Sequence, residues 1–154
     1  MFVIEGLDAL CEQLDDLADE IKDAAERGLN AALKDIVARA KNLAPEDLGQ
    51  LRNSITSRVD RQGNEIDAAV IAGAGHAVYV EMGTGPRGQA SDKREAAPVG
   101  ATYTTHGWVY RDPKTGNFYY TEGQPAKPFL YPAYKQVSVK EKVAASVNDA
   151  LKGG

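Results

Sequence analysis

Apolar residues recur at spacings of three and four from Leu7 to Leu43: first Leu7, Leu10, Leu14, Leu17 and Ile21, then Ala25, Leu29, Leu33, Ile36, Ala40 and Leu43. That rhythm lays them along one stripe of an α-helix. Pro45 closes the element, because the residue before a proline avoids the helical region. A helix over 7–44 would be roughly 55 Å long at 1.5 Å per residue, more than the width of a small domain. Part of it must therefore project, pack on a neighbouring subunit, or break near Gly28. Glycine costs about 1 kcal/mol inside a helix, so at that position it marks a bend or a close contact.

After the helix the period changes. Ile55, Ser57 and Val59 alternate with Thr56, Arg58 and Asp60, and Ile66, Ala68, Val70 and Ala72 alternate with Asp67, Ala69 and Ile71. Gln62-Gly63-Asn64 supplies a turn between them, so the pair reads as a β-hairpin. Ala77–Met82 fits a strand or a short helix equally well. Residues 83–105 read as a long flexible loop, punctuated by Gly83, Gly85, Pro86, Gly88, Pro98 and Gly100. Trp108-Val109-Tyr110 and Phe118-Tyr119-Tyr120 flank a Pro/Gly turn at 112–117 and predict a second hairpin over 106–122. A C-terminal helix is expected over 129–152. The sum is an α+β fold in a single domain spanning 1–154: a helical segment to residue 45, a sheet hairpin and following segment at 54–82, the loop, the second hairpin and the last helix, with both long helices on an antiparallel sheet.

Composition narrows the function classes. The chain has 154 residues, 43% hydrophobic and 26% charged, with a net charge of −4. At that length it can bury roughly 68–70% of its unfolded surface, so it needs neither disulfide nor metal to fold. Its one cysteine, Cys11, offers no internal disulfide. No run approaches a membrane span, and the first residues lack the basic and apolar regions of a signal peptide, so a cytosolic origin is expected. Charge is uneven: residues 1–30 hold nine acids against Lys22 and Arg27, or −7, leaving +3 for the rest. A solvated helix face accounts for such a run, and so does self-association between unlike surfaces.

Several motifs invite a chemical reading and lose it on inspection. Gly83-Thr84-Gly85-Pro86-Arg87-Gly88 spells G-x-G-x-x-G, but Pro86 and the polar stretch after it predict no helix to hold a pyrophosphate. Asp112-Pro113-Lys114-Thr115-Gly116 reads as a turn between aromatic strands. Cys11, His76 and His106 are scattered, whereas a structural zinc site wants four ligands at short spacings. A Ser54–His76–Asp67 triad has no support from spacing. The expectation is no enzyme, no cofactor and no metal. The aromatics of the second half, with Arg58, Arg61, Lys93 and Arg94, provide an alternative role as a nucleic-acid-binding module. Core packing and a subunit interface use the same aromatics more simply.

Three stretches in order resemble a known family. They are Ala40–Ile55, containing Pro45, Gly49 and Arg52; His76–Thr84, containing Glu81 and Gly83; and Gln124–Ala133, containing Pro128, Phe129 and Pro132. Together with the opening Ile4–Leu10 they are similar to the tail-completion, or head–tail joining, proteins of long-tailed bacteriophages, the HK-ninety-seven gene-product-ten type. The chain departs from the family's usual pattern at Leu48, at Met82 and at His76. The resemblance implies a structural protein of the virion tail or neck, assembled in the host bacterial cytoplasm. Its implied partners are further copies of itself in a ring, most simply a hexamer, and tail-tube, terminator or connector proteins. It implies no membrane, and DNA contact only in passing.

On the residues themselves, Gly49 allows a tight turn, and Arg52 can meet Glu46 or Asp47. Glu81, if buried, needs partners such as the amides of Gly83 and Thr84. Phe129 anchors the chain in the core between Pro128 and Pro132. A ring uses unlike surfaces, so Asp15, Asp16, Asp19 and Glu20 are expected to meet Arg52, Arg58 and Arg61 of the next copy.

Overall fold

The computed structural model describes residues 2–4, 19–46, 49–92 and 100–153. In chain order the elements are β1 (Phe2–Ile4), α1 (Asp19–Leu43), α2 (Gly49–Ser54), β2 (Ile55–Gln62), β3 (Glu65–Ala72), α3 (Ala77–Met82), α4 (Gly85–Ala90), β4 (Trp108–Arg111), β5 (Phe118–Thr121), α5 (Leu130–Lys135) and α6 (Val139–Lys152). The fold is α+β, with a long N-terminal helix, C-terminal helices and two small antiparallel sheets.

Helix α1 runs unbroken for 25 residues, about 37 Å. Asp19 and Glu20 in its first turn and Lys41 in its last complement the helix dipole. The stripe foreseen at Leu7, Leu10, Leu14 and Leu17 lies outside the described residues. Ala25, Leu29, Leu33, Ile36 and Ala40 are buried as their spacing requires, but the buried line then passes to Ala44, and Leu43 is exposed. Gly28 marks a close contact rather than a bend. A Cβ there would lie 2.7 Å from Cα of Val143 and 3.0 Å from the carbonyl oxygen of Lys142. The backbones of α1 and α6 touch at this point. Beside it the Ser146 hydroxyl donates to the Ala24 carbonyl at 2.6 Å, and Lys142 pairs with Asp35 at 2.7 Å.

The three-stranded sheet has the order β1-β3-β2. β2 and β3 form the expected hairpin, Ile55 opposite Ala72 and Gln62 opposite Glu65, with Gly63 at φ +61° in the two-residue turn. Ile55, Ile66, Val70 and Ala72 are buried in the core with the α1 stripe, while Thr56, Arg58 and Asp60 point to solvent. Strand β1 was not foreseen; three residues are too few to show an alternation. The hairpin turn is tied to the start of α1. Arg61 pairs with Asp23 and, at 3.1 Å, with Asp19, and Lys22 donates to the Asn64 side chain.

The structure answers four local questions. Ala77–Met82 is a helix, because Ala77, Val80 and Glu81 share one buried face. Gly49 makes no tight turn: it opens helix α2, its φ is not positive, and a Cβ would meet nothing within 4 Å. Arg52 does not meet Glu46, and Asp47 lies outside the described residues; the Arg52 Nε donates to the Lys41 carbonyl at 2.8 Å, satisfying one of the orphan carbonyls at the end of α1. The segment 129–152 is two helices. Val137 and Val139 are both buried, and residues two apart cannot share a face of one continuous helix, so the chain breaks between α5 and α6.

Candidate functional site

The loop expected at 83–105 is built at both ends. Helix α4 occupies Gly85–Ala90, and its capping Ser91 donates from its hydroxyl to the Gly88 carbonyl at 2.8 Å. Thr84 N–H donates to the Gln124 carbonyl at 2.9 Å, and Gln124 N–H donates back to the Thr84 hydroxyl at 3.2 Å. Arg87 N–H reaches the Glu122 carbonyl, and Ala126 N–H reaches the Ser91 hydroxyl. The Tyr103 hydroxyl donates to the Met82 carbonyl at 2.9 Å. Residues 93–99 lie outside the described residues.

A helix does open at the G-x-G-x-x-G letters, against expectation, but protein fills the place a phosphate would take. A Cβ on Gly83, at φ +75°, would lie 2.6 Å from the Ala126 nitrogen, and one on Gly85 would strike the Glu122 carbonyl and the Trp108 ring. These glycines let the 122–126 segment lie against α3 and α4.

Glu81 is the best-defined polar group of the fold. It is fully buried on α3. Its Oε2 accepts from the N–H of Phe129 at 2.8 Å and of Leu130 at 3.0 Å, and its Oε1 accepts from Tyr131 at 3.1 Å. The amides of Gly83 and Thr84 are not its partners; the helix dipole and free donors at the start of α5 offer a carboxylate more. The accounting closes there. The first four N–H groups of a helix lack internal acceptors. Glu81 takes those of Phe129, Leu130 and Tyr131, and Pro132 has none to offer. Phe129 and Leu130 are themselves fully buried. The second and third sequence motifs thus form one packed unit, and Glu81 is structural.

The basic and acidic residues named for an interface are distributed differently from one another. Arg61 is held by two carboxylates of its own chain, and Arg52 by the carbonyl end of α1. Arg58 is 63% exposed in its side chain and only 3.8 Å from Asp60. Asp19 and Glu20 are exposed; Asp15 and Asp16 lie outside the described residues. Of the contact set named for nucleic acid, Arg61 is not free, being paired with Asp19 and Asp23 of its own chain; Lys93 and Arg94 lie outside the described residues.

Nor does the Ser54–His76–Asp67 triad form. The Ser54 hydroxyl donates to the Leu51 carbonyl at 2.7 Å, and His76 Nε2 is buried without a hydrogen bond. Among the described residues, no three His, Cys, Asp or Glu side chains gather to hold a metal, and no helix is long and apolar enough to cross a membrane.

Among the described residues, the most exposed apolar surface is the β4–β5 hairpin. Trp108 pairs with Thr121, Val109 with Tyr120, Tyr110 with Tyr119, and Arg111 with Phe118. Paired residues share a face. One face carries Trp108, Tyr110 and Tyr119, the two tyrosine rings 6.0 Å apart. The other carries Val109, Phe118 and Tyr120, exposed by 61%, 72% and 66%. The tip is hydrogen-bonded within itself: Asp112 accepts from the Lys114 N–H and from the Thr115 hydroxyl, both at 2.9 Å, and Arg111 Nε donates to the Gly116 carbonyl. The Lys114 N–H first, and the Thr115 hydroxyl second, hold the Asp112 carboxyl below its ordinary pKa. Beside the Trp108 face lies an open groove of about 570 Å³, lined by Val78, Tyr79, Met82, Ala101, Tyr103 and Trp108 among others. Sequence reading marked these aromatics for a core or an interface; their exposure puts the hairpin at the surface.

Neither a curated protein nor a solved structure matches the chain. A family model does, over residues 8–83, which reach through α1, α2, β2, β3 and α3 and stop before the α4 segment and the aromatic hairpin. Over those residues, just under half of its length, the chain matches the family described as "Bacteriophage HK97-gp10, putative tail-component", the family its motifs resemble.

Proposed function

We propose that this chain is a structural virion protein at the head–tail junction, a tail-completion or head–tail joining subunit. It acts by ring-like self-association, most simply as a hexamer, and by docking to tail-tube, terminator or connector proteins. The observation that carries the reading is the match to a phage tail component over the helix–hairpin–helix half of the fold. The acidic start of α1 supports contact between unlike surfaces. In that contact Asp15, Asp16, Asp19 and Glu20 of one copy face a basic surface of the next. Arg58 is the arginine best placed to serve there, since Arg52 and Arg61 are engaged within their own chain.

Light scattering of the full chain across a concentration series tests the reading. A discrete oligomer that weakens as salt rises is expected. A monomer throughout, with no association on added tail tubes, would count against it.

A further inference from the structure

The β4–β5 hairpin is a two-stranded element with large aromatics on both faces. Two strands without a covered apolar face are at best marginally stable in water. Its Trp108 face borders the groove beneath α3 and leans on Gly85. Its Val109–Phe118–Tyr120 face points the other way and is uncovered. Tyr120 is already placed, its ring lying over Gly107, where a Cβ would come within 2.5 Å of the hydroxyl. A convex aromatic ridge and a concave apolar groove therefore sit on opposite flanks of one small module. No copy can fill its own groove with its own ridge.

We propose that the hairpin of one copy seats Phe118 and Tyr120 in the groove between α3 and Trp108 of a second copy. Exposed area favours a second copy as the occupant. Aromatic side chains carry roughly 150–250 Å² each, so the exposed fractions of Val109, Phe118 and Tyr120 amount to about 300–400 Å². That is the apolar half of the roughly 800 Å² each partner contributes to a specific interface. The contact joins unlike surfaces, so it propagates from copy to copy and closes where the rotation allows. This inference rests on the chain working as repeated copies. It adds a contact outside the residues that the family model matches.

The test is sedimentation velocity of the full chain against two variants. One carries Phe118→Ser and Tyr120→Ser in the ridge; the other carries Tyr79→Glu and Ala101→Glu in the groove. All four positions are exposed, so melting temperature and circular dichroism should match the parent protein. The parent is expected to associate with rising concentration. Each variant should do so about thirtyfold more weakly or worse, as when a hot-spot aromatic is lost. An equimolar mixture of the two should form a discrete 1:1 dimer, because one intact ridge and one intact groove remain. A parent that stays monomeric, a ridge variant that associates like the parent, or a mixture that stays monomeric would each overturn the proposal. So would capture of a single-stranded oligonucleotide by the ridge in place of a second copy. A chain that still localises to the tail end while failing this test keeps the function proposed above and loses this contact.

Discussion

The Glu81 carboxylate lies 2.8 Å from the backbone nitrogen of Phe129, 48 residues further along the chain. It closes the N-terminus of α5 as a capping residue would, but from another helix. Glu81→Ala would strand three donors, two of them on fully buried residues, and open a void. A loss of about 3–5 kcal/mol is expected. At this chain size that is a fall in melting temperature of about 10 °C or more. Glu81→Gln keeps the shape and one oxygen but turns an N–H₂ toward a donor, so it should fall between the two. Urea unfolding measures both; a glutamine variant as stable as the parent would show that the carboxylate is not what holds α5.

Gly28 reverses the usual effect of a helical Gly→Ala exchange. In an open helix the change gains about 1 kcal/mol. Here the new methyl would press on backbone atoms of α6, and overpacking costs about 1–3 kcal/mol. Gly49→Ala is the matched control. With nothing within 4 Å and no positive φ, it should be neutral or stabilising by up to about 1 kcal/mol. Denaturation midpoints of the two variants should move in opposite directions, or only the Gly28 midpoint should move.

What was legible in the sequence depended on run length and on distance along the chain. The α1 stripe was readable because Ala25, Leu29, Leu33, Ile36 and Ala40 repeat a helical period over several turns. The β2–β3 hairpin was readable from its alternation and its Gly63 turn. Helices α2 and α4 have six residues each, too few for a period to emerge. The need of Glu81 for donors could be foreseen, but not that they would come from Phe129, Leu130 and Tyr131, since no local rule links positions 48–50 residues apart. A signal for the start of α6 did exist: Ser138 and Glu141 have capping-box spacing, although the Ser138 side chain makes no cap bond. The aromatic hairpin could be located, but alternation cannot say which face is covered when both faces are aromatic.

The Asp112 turn makes a pH prediction whose direction follows from its hydrogen bonds. The carboxyl is held below its ordinary value of 3.8, mainly by the Lys114 N–H. Its support for the turn is therefore present in full above the unfolded value and is lost as pH falls through the lower folded value. The Lys114 amide resonance should stay constant from neutral pH down to the ordinary carboxylate range and shift only below it. Asp112→Asn should abolish that titration. A midpoint at or above 3.8 would contradict the assignment.

Charge reversal at Asp15, Asp16, Asp19 and Glu20 should separate assembly from folding. Asp19 pairs with Arg61 at the surface, and such pairs are worth about 0–1 kcal/mol. The reversed variant should therefore melt within a few degrees of the parent. It should also associate more weakly at low salt, with the difference shrinking as salt screens it. Association unchanged at low salt would remove the acidic face from the interface.

The most direct test of the central claim is where the chain sits on a particle. Antibody or gold labelling of tailed particles that carry it, viewed by electron microscopy, reads this without reference to any contact proposed above. The account predicts a single cluster of label at the head-proximal end of the tail, at the junction. Label spread along the tube, or particles complete and joined without the chain, would contradict it.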